Sequence, residues 1–462
     1  MIDQSHIRNS IQSLKSTWQL WSNASINRKI VGGSVIFSLL TLGVKALGAL
    51  REAFSVAIFG LGDELDAFYV AFTIASFVII VVGSSFQTAY IPIYLESKRE
   101  GNKAHVQSIF SQTLTTCLLV LITVTALLGI ALPYLLPLII SGFNPQKLKL
   151  TLGLVYELTP LMILGGLSLT LTAVLNAEEE FKATALIPGL TSITLIVALL
   201  ILAKTLGIQT ISVGLILGAI LELLFLLRFL QRRGLKIKFE IGGQNPKVRQ
   251  VIKNALPIAG AIAISGLMPI VDQSFAAHLN TGDIAALGLG NRVISLALTL
   301  FATAVATVVF PYFSKLALEK DWANLRRVFY ANIYKFILPV TVLSTLAIAL
   351  FSDLIVRLVF QRGAFTAQNT ELVSAIQIIY ALQIPAYVIY LVGFRLLNAI
   401  YANSVITIIS FISLINNIWL NYYLSRNMGI KGIALSTSLV YIIAMTIILI
   451  VIKREIEKRE KS

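Results

Sequence analysis

The chain has 462 residues, 57% of them hydrophobic and 13% charged, which leaves too little polar surface for a water-soluble globule. Its 37 Lys and Arg against 22 Asp and Glu give a net charge of +15, but the basic residues sit in short stretches between apolar blocks, a mark of membrane topology and not of nucleic-acid binding. One cysteine, Cys117, excludes an internal disulfide framework, and the scattered His6, His105 and His278 offer no His-rich metal site.

Residues 1–30 read as a cytoplasmic amino-terminal segment, too long and too late in its first apolar block for a cleaved signal peptide. Within it Ile7, Ile11, Leu14, Trp18 and Trp21 recur at steps of four and three beside Arg8 and Lys15. That is the pattern of a helix lying on a membrane surface, with an unstructured tail as the alternative. Apolar windows of about 20 residues, the length that crosses about 30 Å of hydrocarbon, predict twelve transmembrane helices. They fall near 32–59, 66–94, 106–138, 150–176, 184–203, 210–231, 250–278, 285–314, 327–351, 370–400, 404–424 and 431–452. Arg28 and Lys29, then Lys98, Arg99 and Lys103, then the run from Arg232 to Lys253, and finally Lys453 to Lys461 fall on one side; 60–66 and 280–290 carry no Lys or Arg. Both termini are therefore expected in the cytoplasm.

The basic stretch 232–249 divides the spans into six and six, an amino-terminal bundle over 31–231 and a carboxy-terminal bundle over 250–452, with a charged tail at 453–462. The halves resemble each other. Gly62-Asp63 matches Gly282-Asp283, Pro92 matches Pro311, Tyr156 to Pro160 matches Tyr380 to Pro385, and Leu175-Asn176-Ala177 matches Leu397-Asn398-Ala399, at offsets between 219 and 225. Six is even, so the repeats are parallel, and two such bundles enclose a central cavity suited to alternating access. No phosphate-binding loop of the GxxxxGK[ST] type is present to drive motion by ATP hydrolysis, and no nucleophile–base or metal constellation points to an enzyme.

A charge at mid-bilayer costs about 2.5 to 3.5 kcal/mol, so each one retained is expected to face a cavity or a partner. Lys45, Arg51 and Glu52 in span one, Asp66 opening span two, Asp272 in span seven and Arg292 in span eight are the principal cases. Cations on spans one and eight come from opposite halves, and their convergence would make an anion site of the kind phosphate favours. The alternative is that Arg51 and Arg292 pair with Glu52, Asp66 or Asp272 to fasten helices, or that these acids couple an ion. Glu157, Glu222 and Arg395 fall nearer predicted span ends and read as interfacial. Gly43 and Gly48 in span one, and Pro257, Gly266 and Pro269 in span seven, mark repeat-related helices able to bend as gates.

The stretches Lys45-Ala-Leu-Gly-Ala-Leu-Arg51-Glu, Phe59-Gly60 and Asp66-Ala-Phe-Tyr-Val-Ala-Phe72 resemble the opening of the MurJ/MviN family of lipid II flippases. Asn291-Arg292, Phe310-Pro311-Tyr-Phe-Ser-Lys315 and Phe360-Gln-Arg-Gly-Ala-Phe-Thr-Ala367 resemble further hallmarks of it, in order over about residues 30–450. The resemblance implies an exporter that moves an undecaprenyl-diphosphate-linked glycan, most simply the peptidoglycan precursor lipid II, across the bacterial inner membrane. It implies membrane lipids and cell-wall synthesis proteins as partners, no cofactor, and coupling to an ion or the membrane potential. It assigns Lys45, Arg51, Arg292 and Asp66 to the central cavity. The chain departs from the family's pattern where Lys45 replaces an arginine, where Val78-Ile79-Ile80 replaces an arginine pair, where Asn291 replaces an aspartate, and in stopping after twelve spans. A flippase for an exopolysaccharide or O-antigen type of lipid-linked glycan, a cation-coupled exporter of drugs or solutes, and a non-transporting partner of cell-wall synthesis are the competing expectations.

Overall fold

The structure is a computed structural model that describes residues 26–240, 245–304, 310–400 and 402–460. The amphipathic stripe from Ile7 to Trp21 lies outside the described residues. The chain is an all-α membrane protein. Among the described residues eleven helices are long and apolar enough to cross a bilayer, and a twelfth, α1 (Ile26–Phe59), precedes them with 34 residues. In chain order α2 is Asp63–Arg99, α3 Lys103–Ile139, α4 Thr159–Ala177, α5 Phe181–Leu206, α6 Gln209–Arg232 and α7 Pro246–Ala276. The series ends with α8 (Asp283–Ala304), α9 (Trp322–Phe360), α10 (Ala367–Ala399), α11 (Asn403–Met428) and α12 (Ile430–Glu460).

Helix ends follow local chemistry. Asn102 accepts the His105 amide and Asn245 the Lys247 amide, each capping the helix it opens. Asp63, Glu64 and Asp66 crowd the first turn of α2, where the helix dipole favours negative charge. The repeat reaches further than the four matches above. Gly207 closes α5 and Gly429 closes α11, 222 residues apart, with nearly the same backbone (φ 56, ψ −139 and φ 57, ψ −136). The charged tail is not a separate element. Helix α12 carries on through it to Glu460, because Arg459 stacks on Trp322 and donates to the Ile400 carbonyl while Arg326 pairs with Glu460.

Among the described residues two of the spans contain a π-helical turn, Ile79–Ser84 in α2 and Ile333–Ile337 in α9. The first sits where α2 crosses α4 on glycines. A Cβ on Gly83 would lie 3.0 Å from the Gly166 backbone, and one on Gly165 would lie 2.9 Å from Ile79. Helices α5 and α6 approach as closely, since a Cβ on Gly218 would come within 2.5 Å of Thr191.

Packing between the halves is uneven along the bundle axis. One continuous apolar core takes in the first half together with the start of α8 (Ile284 to Leu289), the end of α9 (Val356, Phe360) and the starts of α10 and α12. A second core, built from Phe313, Phe329, Val392, Ile448 and Ile452, belongs to the second half alone and lies at the opposite end. The first end carries the turns 60–62 and 277–282 and is called the turn end here. The other, with Lys98, Arg99, Arg232, Lys247 and Lys453, is the basic end.

Candidate functional site

Two seams join the halves. Along the first, α7 follows α2 over its whole length. Lys247 reaches Glu96 (3.5 Å) and Glu100 at the basic end, and Gly266 sits against the Phe77 ring at mid-height. Gln273 donates to Thr73 Oγ1 (2.8 Å) nearer the turn end, where Gly142 also lies against the Ala277 carbonyl. Along the second seam, among the described residues, α1 meets α8 and the end of α9 through its last third. The Ala364 amide donates to the Ala57 carbonyl (2.8 Å), Gly60 touches Ala364, and Gly282 lies against Leu61. Toward the basic end Gly43 and Gly48 have nothing within 4 Å of where a Cβ would stand, and Lys45 is exposed. The result is a wedge, closed at the turn end and open between α1 and α8 below it.

The intramembrane cations meet at the apex of that wedge. Arg51 lies nine residues before Gly60 and Arg292 nine after Asp283, so both sit about 13 Å below the closed end at about 1.5 Å per helical residue. They converge on one carboxylate. Arg51 donates to Glu52 Oε1 at 2.9 Å, Arg292 donates to the same oxygen from the other half, and Tyr69 of α2 donates its hydroxyl to Oε2. The Glu52 side chain is 9% exposed, while Arg51 and Arg292 keep 15% and 31%. Two guanidiniums on one carboxylate leave the cluster one positive charge in surplus. Lys45, two turns toward the opening, lies within electrostatic reach of Arg292 and adds a second.

Asp66 is not part of this cluster. It is 1% exposed at the closed end, where it takes the Lys147 ammonium (2.9 Å) and the amides of Gly282 (2.7 Å) and Ala285 (2.9 Å). Lys147 also holds Asp63 at 2.7 Å. An acid of the first half thereby caps the first turn of α8 in the second half. That fastening accounts for its burial, and the expected place of Asp66 in the cavity gives way to a place in the closure above it.

Asp272 is a third, separate group, inside the second half. It accepts from Asn421 Nδ2 (2.7 Å) and Asn417 Nδ2 (2.9 Å) of α11 and from Thr437 Oγ1 (3.3 Å) of α12. All three donors are neutral, and the Oδ1 atoms of Asn417 and Asn421 are buried without a hydrogen-bond partner. Glu222, read as interfacial, lies well inside α6 and accepts from Thr191 (3.1 Å) of α5. Pro257 and Pro269 both lie inside the unbroken α7, and only Gly266 of the glycines proposed as gates makes a close helix contact.

Tyr69, Lys147, Thr191, Asn417, Asn421 and Thr437 belong to these networks and are not singled out by the sequence. The signal for Tyr69 was its place in the Asp66-Ala-Phe-Tyr69 run, one turn after the acid. Lys147 carries none, standing at the start of the short helix Pro145–Glu157, between apolar windows and 81 residues from its partner Asp66.

Known proteins share this plan. The family described as "Lipid II flippase MurJ" matches residues 55–462, a range that begins just after Lys45, Arg51 and Glu52. The probable lipid II flippase MurJ of Rickettsia prowazekii (strain Madrid E) is 27% identical over 413 residues, covering 88% of this chain and 80% of that protein. Its counterpart in Synechocystis sp. (strain ATCC 27184 / PCC 6803 / Kazusa) is 25% identical over 448 residues, covering 93% and 83%. A solved structure of lipid II flippase MurJ in an inward closed conformation superimposes with a TM-score of 0.77 at 25% identity, over 92% of this chain and 90% of that one. An inward-facing multidrug resistance MATE family transporter of the MOP superfamily shares the fold at 15% identity, with a TM-score of 0.73 over 92% and 99% of the two chains. By its match across residues 55–462 and a fold held along nine tenths of its length, the chain belongs to the lipid II flippase MurJ family.

Proposed function

We propose that this protein is a flippase that carries an undecaprenyl-diphosphate-linked glycan, lipid II in the first instance, across the bacterial inner membrane by alternating access. The observation that carries the proposal is the meeting of Arg51 and Arg292, from opposite halves, at the apex of a wedge that opens beside lipid. A guanidinium fork binds a phosphate oxygen pair as readily as a carboxylate. An arriving diphosphate exchanges with Glu52 on the two arginines and meets a cluster already one charge positive. Lys45 lies on the approach and draws the anion inward, while the polyprenyl chain stays in the bilayer through the gap between α1 and α8. Because Arg51 and Arg292 belong to different halves, a ligand that replaces Glu52 changes what holds the closed end together. That is the differential contact a transport cycle requires.

The basic end faces the cytoplasm in this proposal, and both termini with it. Asp272, ringed by Asn417, Asn421 and Thr437 with two unused amide oxygens beside it, is the group proposed to couple transport to a small cation. Gly43, Gly48, Pro257, Gly266 and Pro269 are the proposed bending points. Cell-wall synthesis proteins are the proposed consumers of the delivered precursor. One observation favours a neighbouring substrate, another lipid-linked glycan. At the π-helical turn of α2 Ile80 is 48% exposed while Val78 is buried, so less of the α2 surface there is cationic than the resemblance implies.

The test is growth rescue in a bacterium depleted of its own lipid II flippase. Rescue by the wild-type chain, and failure of a well-expressed Arg51→Ala/Arg292→Ala variant, is the expected pair of results. No rescue by a well-expressed wild-type protein removes lipid II as the substrate. Full rescue by the double variant removes the arginine pair as the binding site.

A further inference from the structure

We propose that the segment joining the two halves is a docking surface for anionic phospholipid headgroups in the leaflet at the basic end. Helix α6 ends at Arg232, and the chain turns through Gly234, whose φ of +83 is one that side chains resist, so that the Leu235 amide donates back to the Leu230 carbonyl. Leu235 is buried. From there the chain is extended and lies along α3. The Gln107 side chain takes both polar groups of Lys236, accepting its amide at 2.8 Å and donating to its carbonyl. Glu240 accepts from Ser108 (3.1 Å), and its amide donates to Thr115 (3.3 Å).

These clamps decide what is left outward. Lys236, Ile237, Lys238 and Phe239 are all exposed, Phe239 to 71% and Ile237 to 44%. The depth is set by α3, whose apolar run opens at Cys117-Leu118 just beyond Thr115. Ile237 and Phe239 therefore stand at the boundary between headgroups and hydrocarbon, where such side chains bury at no cost to the fold. Arg232 is exposed beside them, whereas Arg233 is already held by Glu180. Arg232, Lys236 and Lys238, in no ion pair among the described residues, stand next to two apolar side chains at that depth and match a lipid phosphate above an acyl chain. A basic residue near an anionic membrane surface contributes about fivefold in local lipid enrichment. An aqueous protein partner fits less well, since it would leave Phe239 at the hydrocarbon edge.

The test uses the full chain in nanodiscs, with Phe239→Cys carrying an environment-sensitive fluorophore and the buried Cys117 unlabelled. Brominated phosphatidylglycerol and brominated phosphatidylcholine are compared as quenchers at equal mole fraction. Stronger quenching by the phosphatidylglycerol, lost in Lys236→Gln/Lys238→Gln and unchanged by added inorganic phosphate, is the expected result. Equal quenching by the two lipids, a preference that survives the double substitution, or displacement by inorganic phosphate would each overturn the proposal. Native mass spectrometry of the unlabelled chain guards against a perturbed label site. Fewer retained phosphatidylglycerol molecules in the lysine double variant than in wild type supports the surface, and equal retention removes it.

Discussion

Glu52 sets the terms on which any anion meets Arg51 and Arg292. Because one carboxylate bridges two guanidiniums, its removal leaves two like charges facing each other across the halves, and Glu52→Ala should destabilise the protein by about 3 kcal/mol, as breaking a buried ion pair does. Thermal unfolding in detergent measures it; an unchanged midpoint would mean that the arginines find other partners. Asp272→Asn should leave stability near wild type but abolish the dependence of transport on the coupling cation, measured with and without sodium in proteoliposomes. At this scale the sequence was legible where a residue type was costly. Arginines and acids inside apolar runs announce themselves. Tyr69 does not, because a tyrosine in a membrane span is ordinary, and the fastening of Asp66 is hidden because its partner Lys147 opens a short helix, Pro145–Glu157, outside the apolar windows.

Helix boundaries and contacts carry the next set of expectations. Gly363 has φ +56, and a Cβ there would come within 2.2 Å of the Ala57 carbonyl oxygen. Gly363→Ala should therefore prevent the seat of the 361–366 turn on α1 and raise the reactivity of a cysteine placed at residue 57 toward a water-soluble thiol reagent. Unchanged reactivity would show that the turn adjusts. At the basic end, Glu178 joins α2 to the α4–α5 turn through Tyr94 (2.7 Å), Lys98 (2.7 Å) and the more distant Arg233. Burial works to raise its pKa, but Lys98, Tyr94 and Arg233 outweigh it and hold the carboxyl below its ordinary 4.5. A lowered value means that this carboxyl contributes stability fully above pH 4.5 and loses it as the pH falls through the folded value. Glu178→Gln should lower the unfolding midpoint at neutral pH and remove that part of the acid sensitivity; equal acid sensitivity in the two proteins would contradict it. The helices themselves were legible from apolar windows and the repeat from its glycines, prolines and asparagines. The π-helical turns were not, since an extra residue in a helical turn leaves no mark in hydrophobic spacing.

Across the whole molecule, the division into halves followed from the basic stretch at 232–249, while the inequality of the two seams could not be read from the chain. The contacts that define it join residues far apart in the chain, such as Arg292 with Glu52, 240 positions apart, and Gln273 with Thr73, 200 apart. Among the described residues the seam of α2 with α7 is held from end to end and the seam of α1 with α8 at the turn end, so rocking is expected to pivot on the first and gape at the second. A disulfide between cysteines at Ala57 and Ala364 should arrest transport until reduced, while one between positions 77 and 266 should leave most of it intact. The most direct test of the central claim follows the cargo itself, as the inner-membrane translocation of labelled lipid II in cells whose only flippase is this chain or its Arg51→Ala/Arg292→Ala variant. Translocation by the wild type and its loss in the variant, at equal membrane abundance, is the expected result. Equal translocation by both, or none by either, would contradict an anion site built by two arginines from opposite halves for a diphosphate-linked cargo.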